Sequence, residues 1–316
     1  MTELIHVAAG VLIDAQGRVL LARRHDDAHQ GGLWEFPGGK CEPNEPVERA
    51  LARELHEELG IELLSHRPLI RIAHHYADRS VLLDVHRVDR WQGEPHGREG
   101  QPLAWVEPGQ LGDYPMPAAD KPIVQAIRLP DRYLITPPEV ADEAQFLQRL
   151  EQALASGIRL LQFRVFDLTR ERWSALATQA AALCTQHRAQ LMLNADPRSG
   201  IDLGAAGLHL SSALLHQIDR RPPGVGLLAA SCHTAKDLAQ AQRIGADLAV
   251  LSPVLPTRSH PDATPLGWER FSQLVDEAAI PVYALGGMRA ELLPQAWQAG
   301  AQGVAGIRGL WPDESD

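Results

Sequence analysis

Three cysteines in 316 residues (Cys41, Cys184 and Cys232) are too few and too far apart for a disulfide framework or a metal knuckle, so a reducing compartment is expected. Aromatic residues are scarce at 5%, and Gly (26) and Pro (23) are present at ordinary frequency, which excludes a collagenous or disordered composition. Bases are the minority charge. Thirty Lys and Arg against 40 Asp and Glu give a net charge of −10, which argues against duplex nucleic acid or an anionic membrane as a partner. A single nucleotide bound through a metal stays compatible with that balance. No apolar run reaches the roughly 18 residues of a spanning helix. The opening stretch MTELIHVAAGVLIDAQG has neither the basic start nor the long apolar centre of a signal peptide. A cytoplasmic protein is therefore expected, and its length suggests two domains.

What is present divides the chain. Pro115, Pro117, Pro122, Pro130, Pro137 and Pro138 crowd one stretch, and a short, stiff boundary is expected near Leu129–Asp131, separating residues 1–130 from 131–316. Before it, Ile5–Asp14 and Arg18–Arg23 read as strands joined by a hairpin turn at Gln16-Gly17. Leu69–Tyr76, Val81–Val88 and Leu103–Val106 read as further strands, and Ile123–Arg128 as a short helix. After it, eight short apolar segments recur: Tyr133–Thr136, Leu160–Val165, Leu191–Asn194, Gly207–Leu210, Leu227–Ser231, Leu248–Leu251, Pro281–Leu285 and Gly303–Ile307. Alanine-rich helical stretches such as Ala141–Ala155 and Trp173–Gln186 separate most of them, the rhythm of a (β/α)8 barrel.

The most informative segment is Trp34–Ile61, WEFPGGKCEPNEPVERALARELHEELGI. A helix is expected from about Pro46 to Leu59, with Asn44 as its cap, Pro46 in its first turn and Gly60 past its end. Val47, Ala50, Leu51, Leu55 and Leu59 form its buried stripe. Glu54, Glu57 and Glu58 then share another face at i,i+3 and i,i+4 spacing. Like charges there repel by a few tenths of a kcal/mol per pair, and a hard divalent cation reverses that sign. Taken alone, such a cluster is more often a solvated acidic face.

The flanking residues favour the metal. Gly39, Glu45, Arg53-Glu54-Leu55, Glu57-Glu58 and Gly60-Ile61 stand at the spacing of the Nudix box, and the segment resembles that family at every specified position. The resemblance implies an α/β/α sandwich with a mixed sheet. It implies Glu54, Glu57, Glu58 and the Gly38 carbonyl as ligands of Mg²⁺, or of Mn²⁺. Glu54 doubles as a base on the attacking water, Arg53 orients the cluster, and Phe36-Pro37-Gly38-Gly39 forms the turn beside it.

Residues 4–128 further resemble the MutT-type 8-oxo-dGTP diphosphatases, through Ala22–Arg24, Asp27–His29, Leu33–Lys40, Ala77–Arg79, Arg90–Pro102 and Ala119–Ile123. That resemblance implies an oxidised guanine nucleoside triphosphate as substrate, with pyrophosphate released. It implies Arg24, His29, Phe36, Asp78 and Arg79 around the nucleotide, and Glu99 as a distal carboxylate at the metal. Asp120 departs from the branch, which usually carries an asparagine there. A carboxyl group donates a hydrogen bond only when protonated, a state that burial can maintain.

Residues 132–314 resemble the thiamine-phosphate synthase and thiazole tautomerase superfamily, and a thiamine-related phosphate is the ligand implied. The carrying stretches contain Gln162, Arg164, Asn194, His209, His233, Thr257, Gly286 and Gly287, the candidate site of the second domain. The synthase's metal-holding aspartates are replaced by Ala195 and Ala206, and its lysines are absent at Phe166 and His260. Tautomerase-like proton transfer at His233, ligand sensing that regulates the hydrolase, and a purely stabilising barrel all stay open. For the first domain the rival substrate is a thiamine-pathway diphosphate.

Overall fold

The computed structural model describes residues 4–26, 30–75, 80–197, 204–258 and 262–312. The chain divides into two compact units, Met1–Arg128 and Leu129–Asp316. Among the described residues no helix is long and apolar enough to cross a membrane.

In the first unit, β1 (Leu4–Leu12), β4 (Gly38–Lys40), β5 (Glu62–His75) and β6 (Ser80–Gln92) form one sheet in the order β4-β1-β6-β5. Its β1–β6 pairing is parallel and the others antiparallel, a mixed sheet. β2 (Val19–Arg23), β3 (Trp34–Glu35) and β7 (Leu103–Val106) form a second, antiparallel sheet in the order β3-β2-β7. The expected hairpin of the first two strands is therefore a turn without a ladder. The Asp14 carboxylate accepts from the Gln16 and Arg18 backbone N–H groups and reverses the chain, but only the bridge Ile13–Val19 joins the flanks before they enter different sheets. β5 also begins seven residues before the expected Leu69. Pro68 masked it, and an edge strand with a register shift at Pro68/Ile70 is where a proline is tolerated.

Helix α1 (Val47–Leu59) buries Ala50, Leu51, Leu55 and Leu59 against Ala8, Leu12, Leu20 and Val88. Its C-cap is Gly60 at φ 70°, as its sequence position suggests. Its N-terminus differs from expectation: the capping position is Pro46, with no side-chain bond. Asn44 lies at φ 64° inside a turn closed by Glu45 N–H donating to the Glu42 carbonyl at 3.0 Å, too early to reach the helix. Helix α2 (Lys121–Arg128) ends the unit.

In the second unit, β8 (Arg132–Ile135), β9 (Leu160–Phe163), β10 (Gln190–Leu193), β11 (Gly207–Leu210), β12 (Leu227–Cys232), β13 (Leu248–Leu251), β14 (Val282–Leu285) and β15 (Gly303–Gly306) close into an eight-stranded parallel barrel. Tyr133, Met192, Val250, Tyr283 and Ala305 belong to the cluster that fills it. Around it run α3 (Glu143–Ala155), α4 (Arg170–Gln186), α5 (Ser212–Leu215), α6 (Ala235–Arg243), α7 (Gly267–Asp276) and α8 (Leu293–Gln298). Asp142 and Thr169 cap α3 and α4, and Thr234 with Asp237 forms a capping box on α6. Among the described residues no helix follows β15. Trp311 packs on Phe146 of α3 with ring centroids 5.2 Å apart, and Arg149 Nε donates to the Pro312 carbonyl at 2.9 Å. Leu129 is buried in the barrel's inner cluster, and Gln302 Nε2 donates to its carbonyl at 3.0 Å. The residues read as linker thus belong to the barrel's own base.

Candidate functional site

Helix α1 and the turn entering β4 build the first site. Arg53 is its fastener: Nε and Nη2 donate to Glu45 at 3.0 and 2.9 Å, Nη1 to Glu54 Oε1 at 2.7 Å, and Nη2 to the Lys40 carbonyl at 3.0 Å. These bonds lower the Glu45 carboxyl to about 2 and raise the guanidinium further. The other Glu54 oxygen lies over Gly39, where a Cβ would stand 2.2 Å from it. Gly38, at φ 146°, would place a Cβ 2.1 Å from the Ala8 carbonyl oxygen, and its N–H donates to Glu58 Oε2 at 3.1 Å. Gly38 is obligatory for the backbone, whereas a side chain at Gly39 would displace only the Glu54 carboxylate. Gly38 lets β4 lie on β1, and Gly39 lets the carboxylate lie on the turn.

Glu58 is pushed up to about 8, chiefly by burial and then by the charges of Glu35, Glu54 and Glu99, against the Gly38 N–H that lowers it. Glu99 reaches this field from the loop after β6. That loop is buttoned to the end of α1: Gln101 Nε2 donates to the Glu58 carbonyl at 3.1 Å, and Arg98 N–H donates to the same carbonyl at 3.0 Å. Glu57 stands apart from this group, its carboxylate 56% exposed and 3.3 Å from Arg53 Nη1. Among the described residues, no three acids, histidines or cysteines converge closely enough to ligate one ion as placed. The donor set still suits a hard cation, because carboxylates crowded enough to hold a proton near neutral pH are relieved by positive charge.

Glu35, which no motif in the sequence marks, links this group to Asp120. It pairs with Arg24, and burial raises its carboxyl while Arg24 opposes that rise. Its charge also bears on Asp120, which is 7% exposed. Burial first, and Glu35 second, push the Asp120 carboxyl up to about 8, and its Oδ2 has no hydrogen-bond partner. No local signal in the sequence marks it, because its partners Arg24 and Asp120 lie far away in the chain. Phe36 is buried, and the Pro37 carbonyl accepts from Gly10 N–H at 2.8 Å, which leaves it committed to the sheet. His29, Asp78 and Arg79 lie outside the described residues.

The second site is a cavity of about 490 Å³ at the C-terminal ends of the barrel strands, where such barrels carry their chemistry. Gln162, Arg164, Asn194 and His209 line it, together with His233, Thr257, Gly286 and Gly287. Gln162 Nε2 donates to Asn194 Oδ1 at 3.2 Å. His209, buried on β11, has Tyr133 Oη 2.9 Å from Nδ1 and Ser231 Oγ 2.8 Å from Nε2. Burial, with Arg164, lowers its pKa to about 3, so the ring is neutral. His233 Nδ1 donates to the Ser252 carbonyl at 2.9 Å. Ser231 and Phe166 line the same cavity and were not singled out as site residues from the sequence. His260 lies outside the described residues.

Comparison with known proteins matches both units. Residues 132–310 match the thiamine monophosphate synthase family, and residues 8–126 match the NUDIX domain. The 8-oxo-dGTP diphosphatase of Proteus vulgaris is 44% identical over 96 residues, covering 30% of this chain and 86% of that protein. The CTP pyrophosphohydrolase of Escherichia coli (strain K12) is 38% identical over 124 residues, 39% of this chain and 91% of the relative. The thiamine-phosphate synthase of Thioalkalivibrio sulfidiphilus is 32% identical over 189 residues, 58% of this chain and 89% of the relative. The chain is therefore a fused two-domain protein that belongs to the NUDIX family through its first unit and to the thiamine monophosphate synthase family through its second.

Proposed function

We propose that the first unit is a Mg²⁺-dependent diphosphatase that hydrolyses 8-oxo-dGTP to 8-oxo-dGMP and pyrophosphate, removing an oxidised nucleotide from the pool. The observation that carries this reading is Asp120: a buried carboxyl, protonated at neutral pH, with one oxygen unpartnered. In that state it donates one hydrogen bond and accepts another, as the asparagine it replaces would. The names of the relatives agree with nucleotide diphosphatase chemistry but divide between oxidised dGTP and CTP as substrate.

Glu54, Glu58 and Glu99, with the Gly38 carbonyl, would hold Mg²⁺, with Glu57 on the same helix turning in from solvent to join them, and Mn²⁺ shares the same taste for oxygen ligands. When bound, the ion supplies neutralisation of phosphate charge and polarisation of phosphorus. The remaining work falls to the chain. Arg53 fixes one Glu54 oxygen, leaving Oε2 to take the proton of the attacking water. The new bond forms at the β-phosphorus, the bond to the α–β bridging oxygen breaks, and the nucleoside monophosphate leaves with the electron pair. Arg24 and Phe36 serve the nucleotide side, Arg24 held in readiness by Glu35.

A substrate panel with Mg²⁺ tests the reading: 8-oxo-dGTP, dGTP, CTP and hydroxymethylpyrimidine diphosphate, with Glu54→Gln as the control. The expected result is the highest kcat/KM on 8-oxo-dGTP, and at least a ~100-fold loss in the variant with an unchanged melting temperature. A higher kcat/KM on CTP or on the pyrimidine diphosphate would overturn the substrate assignment. Near-normal turnover by Glu54→Gln would overturn the site.

A further inference from the structure

The last turn of an α-helix leaves its carbonyls without intrahelical partners. In α1 that turn carries Glu57 and Glu58, and the loop after β6 takes up its carbonyls. His96 N–H donates to the Leu59 carbonyl at 3.1 Å, Arg98 N–H to the Glu58 carbonyl at 3.0 Å, and Arg98 Nη1 to the His56 carbonyl at 3.0 Å. Arg98 also brings a positive charge to the negative end of the helix dipole. The loop is thereby held in register with the helix end.

Glu99 sits on this loop in a tight turn. Gly100, at φ 80°, donates its N–H to the Gly97 carbonyl at 3.0 Å. A Cβ on Gly97 would stand 2.1 Å from the Gln101 carbonyl oxygen, so only glycine lets the turn fold back on Gln101. The Gln101 side chain, buried with its residue 8% exposed, closes the arrangement. Its Oε1 accepts from Glu99 N–H at 2.9 Å, and its Nε2 donates to the Glu58 carbonyl at 3.1 Å. One side chain thus bridges the backbones of two residues whose carboxylates face the same site. The amide has a single workable orientation, because the flipped one sets oxygen against oxygen and N–H against N–H. A glutamate of the same shape lacks the donor, and an asparagine is one methylene too short to span both partners.

We propose that Gln101 is a positioning residue of the cation site: by tying the Glu99 backbone to the Glu58 backbone it sets the separation of the two carboxylates, and with it the affinity for the divalent ion. The inference rests on the reading that Glu58 and Glu99 are ligands of that ion. The two carboxylates share one field, since the charge of Glu99 contributes to raising the Glu58 carboxyl. Without the bridge, the Glu99 turn would have to be ordered when the ion arrives, at a cost in conformational entropy.

Mn²⁺ titration of the full-length protein, followed by the electron paramagnetic resonance of the free ion, tests this without turnover. It is run without nucleotide and again with dGMP, on the unaltered protein, Glu99→Gln, Gln101→Met and the double variant. Gln101→Met, similar in length and lacking both hydrogen bonds, is expected to weaken Mn²⁺ binding by about tenfold or more. In the Glu99→Gln background the same substitution is expected to change binding by no more than about twofold, because Gln101 acts through Glu99. Gln101→Asn, which keeps the amide but not its reach, is expected to weaken binding as Gln101→Met does, and it carries the test if the thioether unfolds the first unit. Binding weakened by Glu99→Gln but unmoved by either Gln101 substitution would overturn the inference and leave the ligand reading standing. An equal loss in both backgrounds would also overturn it, since Gln101 would then act on the fold alone. Binding unmoved by Glu99→Gln in both conditions would remove the ligand reading, and the inference with it.

Discussion

Two carboxyl groups, Asp120 and Glu58, are pushed by burial to about the same value, near 8, and mean different things. Glu58 sits among Glu35, Glu54 and Glu99, so its proton marks an excess of negative charge that a cation removes. Asp120 is buried with one oxygen unpartnered, and under the proposed function its proton is a hydrogen-bond donor to the base. Its ionisation above about pH 8 removes that donor, so kcat/KM for 8-oxo-dGTP is expected to decline above that pH. Asp120→Asn is expected to flatten the alkaline limb, and rate profiles from pH 6 to 9.5 measure both. An unchanged limb in the variant would show that another group titrates. The stability sign follows from the same shift. The folded carboxyl holds its proton more tightly than the unfolded one, so Asp120 costs stability increasingly from about pH 3.8 up to about 8, and the asparagine removes that slope. The sequence named Asp120 as a departure from its branch. Whether the departure mattered depended on burial, which no single residue identity reveals.

At the scale of elements, α1 was the most legible part of the chain, because its 3.6-residue apolar period and its terminal Gly60 are local signals. Its start was misread: Asn44 has the chemistry of a cap, but the Glu42–Glu45 turn uses it at positive φ, and Pro46 takes the capping position. The contact between α1 and the β4 turn was not legible at all, since it depends on where two elements meet. Gly39→Ala tests that contact. A methyl group 2.2 Å from Glu54 Oε2 must displace the carboxylate, so kcat is expected to fall about 10–100-fold with a small loss of melting temperature. Gly38→Ala is expected to do the reverse, losing stability first, because it strikes the Ala8 backbone and requires φ 146°. Equal kinetic and thermal behaviour in the two variants would show that the turn has no separate role in placing Glu54.

For the whole molecule, each unit encloses its own hydrophobic cluster: Leu12, Leu51, Leu55 and Val88 in the first, and the barrel interior and its helix layer in the second. Leu55→Ala, at a fully buried position, is expected to cost the first unit about 2–5 kcal/mol and leave the barrel alone. Differential scanning calorimetry is expected to show two transitions, with only one shifted by the substitution. A single transition moving as a block would show that the two cores unfold together.

The sequence by itself determined what repeats or recurs locally: eight barrel strands as short apolar runs, the acid-bearing helix from its period, and an acidic cluster whose spacing is its signature. Tertiary structure decided what depends on distant residues meeting. It sent β1 and β2 into different sheets despite a competent turn between them. It gathered Glu35, Glu54, Glu58 and Glu99 while leaving Glu57 largely in solvent, and it surrounded the barrel cavity with arginines drawn from four separate loops. The physical reason is common to all three. Hydrophobic period and turn chemistry act over a few residues and can be read in line, whereas desolvation and charge clustering are set by neighbours far apart in the chain.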